Sequence, residues 1–174
     1  MSSNLRIAIS GKSGCGNSTV TRLLAERLGL RVINYTFKDL ARDRGTTFEE
    51  ICRLAELDPQ FDLTLDRMQV ELARDGQFVL GSRLAIWLLR GAAFTVYLTA
   101  PLEVRARRIA RREGLGVPEA LEQTAARDAR DHARYSRLYG YDVDRYEFAD
   151  LVLDADRLDQ EQITDAIARG VTGS

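Results

Sequence analysis

Apolar and other positions alternate near the start of the chain. Leu5, Ile7 and Ile9 are separated by Arg6 and Ala8, the period of a short strand with a buried face. The period then lengthens: Val20, Leu23, Leu24 and Leu28 recur at helical spacing, with Ser18 and Thr19 where a helix would begin. The same two periods take turns along the rest of the chain. Further strands are expected at 31–34, 77–81, 94–98 and 149–153. Tyr35 to Arg44 reads as a short helix. Thr46 or Thr47 caps the next, with Glu49 and Glu50 in its first turn, Ile51, Leu54, Ala55 and Leu57 as its apolar positions, and Asp58-Pro59 as its end. Phe61 to Asp75 reads as an amphipathic helix with Leu65, Met68, Val70 and Leu72 turned inward, closed by Gly76. Arg83 to Leu89 is a short apolar helix. Pro101 opens an arginine-dense one carrying Arg105, Arg107, Arg108, Arg111 and Arg112. Residues 113–117, with two glycines, predict a mobile loop before a long charged helix over 118–139, and 159–168 closes the chain. Trp87, Met68 and the tyrosines are expected in the core.

Strands alternating with helices imply an α/β fold, a mostly parallel sheet covered on both faces. Between the first strand and the first helix, Gly11 to Ser18 spells G-x-x-x-x-G-N-S. This is a phosphate-binding loop in every position but Asn17, where lysine is usual. Gly11, Gly14 and Gly16 permit backbone angles closed to other residues. The N–H groups of Lys12, Ser13, Cys15 and their neighbours can then curl inward as an anion nest, reinforced by the positive end of the helix behind Ser18 and Thr19. The Ser18 hydroxyl is the candidate ligand for a magnesium ion bridging the phosphates. Asn17 can donate hydrogen bonds but brings no charge.

At 174 residues the chain is expected to be one domain, residues 1–174, with a genuine core. Its net charge of −1 argues against non-specific nucleic-acid binding. Two cysteines are too few for a disulfide framework and point to a reducing cytoplasm. The polar start predicts no signal peptide, and no apolar run is long enough to cross a bilayer. His132 is the only histidine, so neither a zinc site nor a histidine triad can be assembled. Lysine occurs only at Lys12 and Lys38, every other basic side chain being arginine. The two are not interchangeable at compact anion sites.

Ligands of parallel sheets sit at the carboxyl ends of the strands. The glycine loop follows the first strand, Lys38 the second, Arg83 the third, and Arg108 and Arg112 the fourth, so the cations converge on one rim. Such a rim suits two phosphate-bearing ligands, as phosphoryl transfer requires. On the long helix Arg127, Arg130 and Arg134 share a face next to Asp131, where an Arg127–Asp131 ion pair is the alternative to a binding role. Asp66 and Gln69 read as helix surface by pattern and are also candidates for the acceptor site.

The chain resembles the nucleoside monophosphate kinases, specifically the short cytidylate (CMP) kinases, over essentially its whole length. The likeness rests on I-A-I-S-G-K-S-G-C-G-N-S-T at 7–19, L-A-R-D-R-G at 40–45, V-L-G-S-R-L-A-I-W at 79–87 and A-P-L-E-V-R-A-R-R-I at 100–109. It continues in A-R-D-A-R-D-H-A-R-Y at 126–135, L-Y-G-Y-D at 138–142 and A-D-L-V-L-D at 149–154. The resemblance implies a P-loop NTPase fold with a five-stranded sheet, an acceptor-binding segment near 35–75 and a lid at 113–117. It implies a monomer that transfers the ATP γ-phosphoryl group to CMP or dCMP with Mg²⁺, without nucleic-acid or membrane partners. Gly11 to Thr19 would hold the ATP phosphates. Lys38, Arg83, Arg127, Asp131 and Arg134 match acceptor-binding positions, and Arg108, Arg112 and Arg130 match lid arginines.

Three positions depart from the family pattern. Asn17 replaces the loop lysine, Gly81 and Ser82 stand where an acid and a glycine are usual, and Leu84 gives no base-reading acid after Arg83. Lys12 is expected to reach back over the β- and γ-phosphates and supply the missing charge. The rival readings are a nucleotide-binding sensor without catalysis and a same-fold kinase for another monophosphate or small metabolite.

Overall fold

The computed structural model describes residues 4–173, and in it the opening alternation becomes strand β1, Arg6–Gly11. Helix α1, Asn17–Leu28, follows the glycine loop and ends on Gly29 in the left-handed region. Then come β2 (Arg31–Ile33), α2 (Phe37–Asp43), α3 (Phe48–Leu57), α4 (Gln60–Leu72), β3 (Phe78–Gly81) and α5 (Ala85–Leu88). The second half comprises β4 (Phe94–Thr99), α6 (Leu102–Glu113), α7 (Val117–Tyr139), β5 (Leu151–Asp154) and α8 (Gln160–Thr172). The five strands pair in parallel in the order β2-β3-β1-β4-β5. All five carboxyl ends therefore lie along one edge, and β1 with its loop is central.

The pleat of β1 divides the core. Ile7 and Ile9 face a layer made with Val20 and Leu24 of α1 and Ile163 and Ile167 of α8. Ala8 faces the other layer, built from Phe78, Leu80, Leu84, Ile86, Trp87, Tyr97 and Tyr135. Each such fully buried aliphatic or aromatic side chain stabilises the fold by roughly 1.5–3 kcal/mol against exposure. A smaller cluster of Leu40, Ala41, Ile51 and Phe61 joins α2, α3 and α4. Thr47 caps α3, its hydroxyl accepting from the Glu50 N–H, and Asp159 caps α8 through a reciprocal box with Gln162.

Two expectations from the pattern are corrected. The buried residues of α4 are Phe61, Asp62, Asp66 and Gln69, while Leu72 is 38% exposed and Leu65, Met68 and Val70 are half-buried. The neighbours of this face are polar groups of other elements, and they override the apolar stripe. Pro101 precedes α6 as its N-cap rather than lying within the first turn. No helix of the described residues is long and apolar enough to cross a membrane.

Gly81 closes β3 directly against α1, where a Cβ would overlap the Thr21 hydroxyl. Thr21 is itself buried, so a side chain at Gly81 requires Thr21 to shift. Gly81→Ala is expected to lower stability by about 1–3 kcal/mol in urea unfolding, and adding Thr21→Ala is expected to recover part of that loss. Parent-like stability of the single variant would disprove the crowding.

Candidate active site

The loop from Gly11 to Ser18 is shaped by its glycines for two different reasons. Gly14 and Gly16 have φ of 88° and 94°, the left-handed region that side chains disfavour. Gly11 has no such angle, and there the reason is space. A Cβ would lie 2.7 Å from Asn17 Oδ1 and 2.8 Å from the Leu98 carbonyl oxygen. Asn17 donates from Nδ2 to the Gly11 carbonyl at 2.7 Å. The residue in place of the usual lysine thus ties the two ends of the loop together. Cys15 is buried within it, and burial pushes its thiol up to about 11, which makes it an inert packing group.

The loop opens into a cleft of about 580 Å³, lined also by Ser18, Thr19, Ser82 and Gln160. Five basic residues, Lys12, Arg83, Arg108, Arg112 and Arg127, line the cleft and no carboxylate does. Each comes from a different anchorage. Ser10, fully buried at the end of β1, donates to the Ser82 carbonyl at 2.7 Å and accepts from the Ile86 N–H, fixing the turn that carries Arg83. Arg83 donates to Ser13 Oγ at 2.6 Å and pairs with Asp131. Arg108 donates to the Gly14 carbonyl at 3.2 Å and the Ala155 carbonyl at 2.5 Å. Arg112 pairs with its neighbour Glu113 and Arg127 is exposed. The Lys12 ammonium lies 2.6 Å from Asp144 Oδ1.

Behind the loop sits Arg105, only 4% exposed. It donates to the Ala100 and Ser13 carbonyls at 3.1 and 3.2 Å and to both oxygens of Asp128, at 3.2 and 2.7 Å. In the sequence it reads only as one arginine of a dense run. The usable signal was its spacing with Ala106, Ile109 and Ala110, the buried stripe of α6.

A second polar cluster joins α7 to α4. Asp131 accepts from Arg134 at 3.1 Å as well as from Arg83, and Arg134 also lies 3.7 Å from Asp62. Asp131 thus pairs with Arg83 and Arg134 rather than with Arg127. Tyr139 donates to Asp66 at 2.5 Å, and Gln69 donates to the Tyr35 carbonyl at 3.0 Å. Gln69 Oε1 and Arg134 Nε are buried with no hydrogen-bond partner. Burial pushes the carboxyl groups of Asp62 and Asp66 up, that of Asp66 to about 6. Asp62 was missed in the sequence, although it stands one helical turn before Asp66.

Two predicted residues lie elsewhere. Lys38 is exposed, its ammonium 5.8 Å from the Phe48 ring centroid, and it does not line the loop cleft. Arg130 lines a separate groove between α6 and α7 with Ile109, Glu113 and Thr124, into which Arg127 also extends. A further open cleft of about 590 Å³ lies at the amino-terminal ends of the strands, beside Arg6, Phe94 and Asp150. It has no glycine loop, and the loop cleft is the one with the chemistry to hold anions.

Residues 6–157 match the cytidylate kinase-like family. The chain is 41% identical over 167 residues to "Cytidylate kinase 2" of Borrelia garinii subsp. bavariensis, covering 94% of each chain. It is 42% identical over 166 residues to the "Cytidylate kinase" of Ignicoccus hospitalis, covering 94% of this chain and 96% of that one. In fold it is similar to the shikimate kinase structure from Bacteroides thetaiotaomicron, with a TM-score of 0.66, 16% identity, and 98% and 99% of the two chains covered.

Asp128→Ala leaves the Arg105 guanidinium buried without a counter-charge. It is expected to cost about 3–5 kcal/mol in urea unfolding, and a loss under about 1 kcal/mol would show that Arg105 is not held by this pair. Asp66 carries a pH signature. Because its folded pKa is raised from 3.8 to about 6, the folded chain keeps a proton through that window that the unfolded chain releases. Its contribution to stability therefore falls as pH rises through the window and stays unfavourable above it. Asp66→Asn is expected to be more stable than the parent by about 1–3 kcal/mol near neutral pH, with the advantage fading towards about pH 4. A pH-independent difference in denaturant unfolding would contradict the assignment.

Proposed function

The chain belongs to the cytidylate kinase-like family, and from that premise we propose that it moves the γ-phosphoryl group of ATP to CMP or dCMP, giving CDP or dCDP. It is an enzyme, a nucleoside monophosphate kinase. The observation that carries the reading is the loop cleft, lined by five cations and no acid. Phosphoryl transfer needs little covalent chemistry from the protein. It needs two phosphate groups held in line and the moving charge neutralised.

In this reading the N–H groups of the loop over residues 11–19 hold the ATP phosphates, except that of Cys15, which donates to the Lys12 carbonyl at 3.2 Å. Arg83, Arg127 and Arg134 take the acceptor phosphate, and Asp131, held between Arg83 and Arg134, accepts from the acceptor's sugar hydroxyls. Asp66 and Gln69 serve the acceptor's base. A buried, unpartnered Gln69 Oε1 suits an exocyclic amino donor, which cytosine has and uracil lacks. Arg108, Arg112 and Arg130 close over the reacting groups from the segment around 113–117, which serves as lid. Residues 35–75, including Lys38, form the acceptor-binding segment. The acceptor phosphate is already anionic, so no protein general base is required, and closure keeps water from the γ-phosphate.

A magnesium ion fits this site through Ser18, whose hydroxyl lines the cleft at the first turn of α1. With Gly81 where a carboxylate would stand, the protein offers one oxygen and leaves the rest of the shell to phosphates and water, a mode that suits this ion. When bound it would neutralise negative charge on the donor phosphates. A sensor without catalysis is disfavoured by the cations gathered beyond the nest itself.

An ADP-release assay with Mg·ATP against CMP, dCMP, UMP, AMP and GMP is expected to show turnover chiefly with the two cytidine nucleotides, and a preference for another acceptor would overturn the assignment. Lys12→Ala is expected to lower turnover about 100-fold, the scale of losing one group that stabilises transition-state charge. Adding Asn17→Lys is expected to restore part of it. A single variant within a few-fold of the parent would refute compensation by Lys12.

A further inference from the structure

We infer that Asp144 is a positioning residue for Lys12, holding the ammonium to one side of the phosphate loop and surrendering it to donor phosphates. The inference rests on the reading of Lys12 as a phosphate ligand and adds what controls it. Lys12 lines the loop cleft, a pocket of about 240 Å³ beside Tyr97, Thr99 and Asp144, and a narrow space against Arg83, Trp87 and Asp131. A single unbranched side chain at that boundary has room on either side, and in this structure it is turned to Asp144, with Nζ 2.6 Å from Oδ1.

Asp144 is not a loose surface acid. Its N–H donates to Asp142 Oδ1 at 3.1 Å, which sets the turn after α7. Two residues on, Tyr146 stacks on Tyr97 with ring centroids 4.0 Å apart and planes 9° apart. The turn is therefore pinned to β4, and the carboxylate stays in place while the lysine moves. Its second oxygen is 3.2 Å from His132 Nδ1, and Asp142 also pairs with Arg145. Departure of Lys12 leaves the Asp144 carboxylate beside the His132 ring.

The exposures decide which way the contact works. The Lys12 and Asp144 side chains are 35% and 53% exposed, and ion pairs this open to water are weak. A polyphosphate with several charges outcompetes one carboxylate for the same ammonium. The carboxylate therefore acts as a competitor that keeps Lys12 extended and ready, and its removal should strengthen donor binding.

The test is calorimetric titration of ATP into the parent, Asp144→Asn, Lys12→Ala and the double variant, with Asp144→Glu as the charge-retaining control. Asp144→Asn is expected to tighten ATP about two- to fivefold, the range of one exposed ion pair. KM for ATP should fall with it and kcat should change less. The gain should vanish in the Lys12→Ala background, and Asp144→Glu should match the parent. Unchanged or weaker binding by Asp144→Asn, or an equal gain without Lys12, overturns the inference. Weaker ATP binding by Lys12→Ala with no gain from Asp144→Asn would sink this inference alone. Parent-like ATP binding by Lys12→Ala would sink both it and the phosphate-ligand role of Lys12.

Discussion

A single guanidinium withdrawn from solvent sets the position of the phosphate loop. Arg105 binds the end of β4 through the Ala100 carbonyl, the loop through the Ser13 carbonyl, and α7 through both oxygens of Asp128. Few side chains could do this, because only a planar fork of five donors reaches three elements at once. The approach is close enough that a Cβ on Gly14 would come 2.8 Å from the Arg105 Cβ. The loop's glycines thus serve its anchorage as well as its curvature. The arrangement also carries a cost, since a buried cation is tolerable only while its carboxylate stays.

The remaining charges are sorted into two layers. Cations line the cleft or stand just behind it, and carboxylates hold several of them: Asp128 on Arg105, Asp131 on Arg83 and Arg134, Asp144 on Lys12. Without these holders the cleft would repel itself, and a large positive field destabilises a compact state. With them, Lys12 and Arg83 are held at defined places on the cleft wall. Asn17 belongs to the same logic. In giving up the usual charge it closes the neck of the loop by bonding the Gly11 carbonyl, and the charge is left to side chains that enter from elsewhere.

Much of this was legible from local pattern. The alternation of periods located all five strands to within two residues or so, and the glycine spacing located the loop, because both signals are carried by residues close together in the chain. The rim of cations followed from parallel topology alone, and it holds for Arg83, Arg108 and Arg112. Lys38 falls outside the cleft because its exposed side chain comes to rest near Phe48 of the neighbouring helix.

What a helix buries was not legible where the buried groups are polar. On α4 the apolar residues suggested one inward face, and the fold chose another, carrying Asp62, Asp66 and Gln69. Periodicity reports which residues share a face, and it is silent on whether that face will meet hydrocarbon or another element's hydrogen-bonding groups. The same limit hid Arg105 with Asp128, Lys12 with Asp144, and Gly81 against Thr21. The chain by itself determined the elements, the loop and the sign of the charge at the rim. Which cation leans on which acid was decided only when segments distant in sequence were packed together, because an ion pair has no local period to announce it.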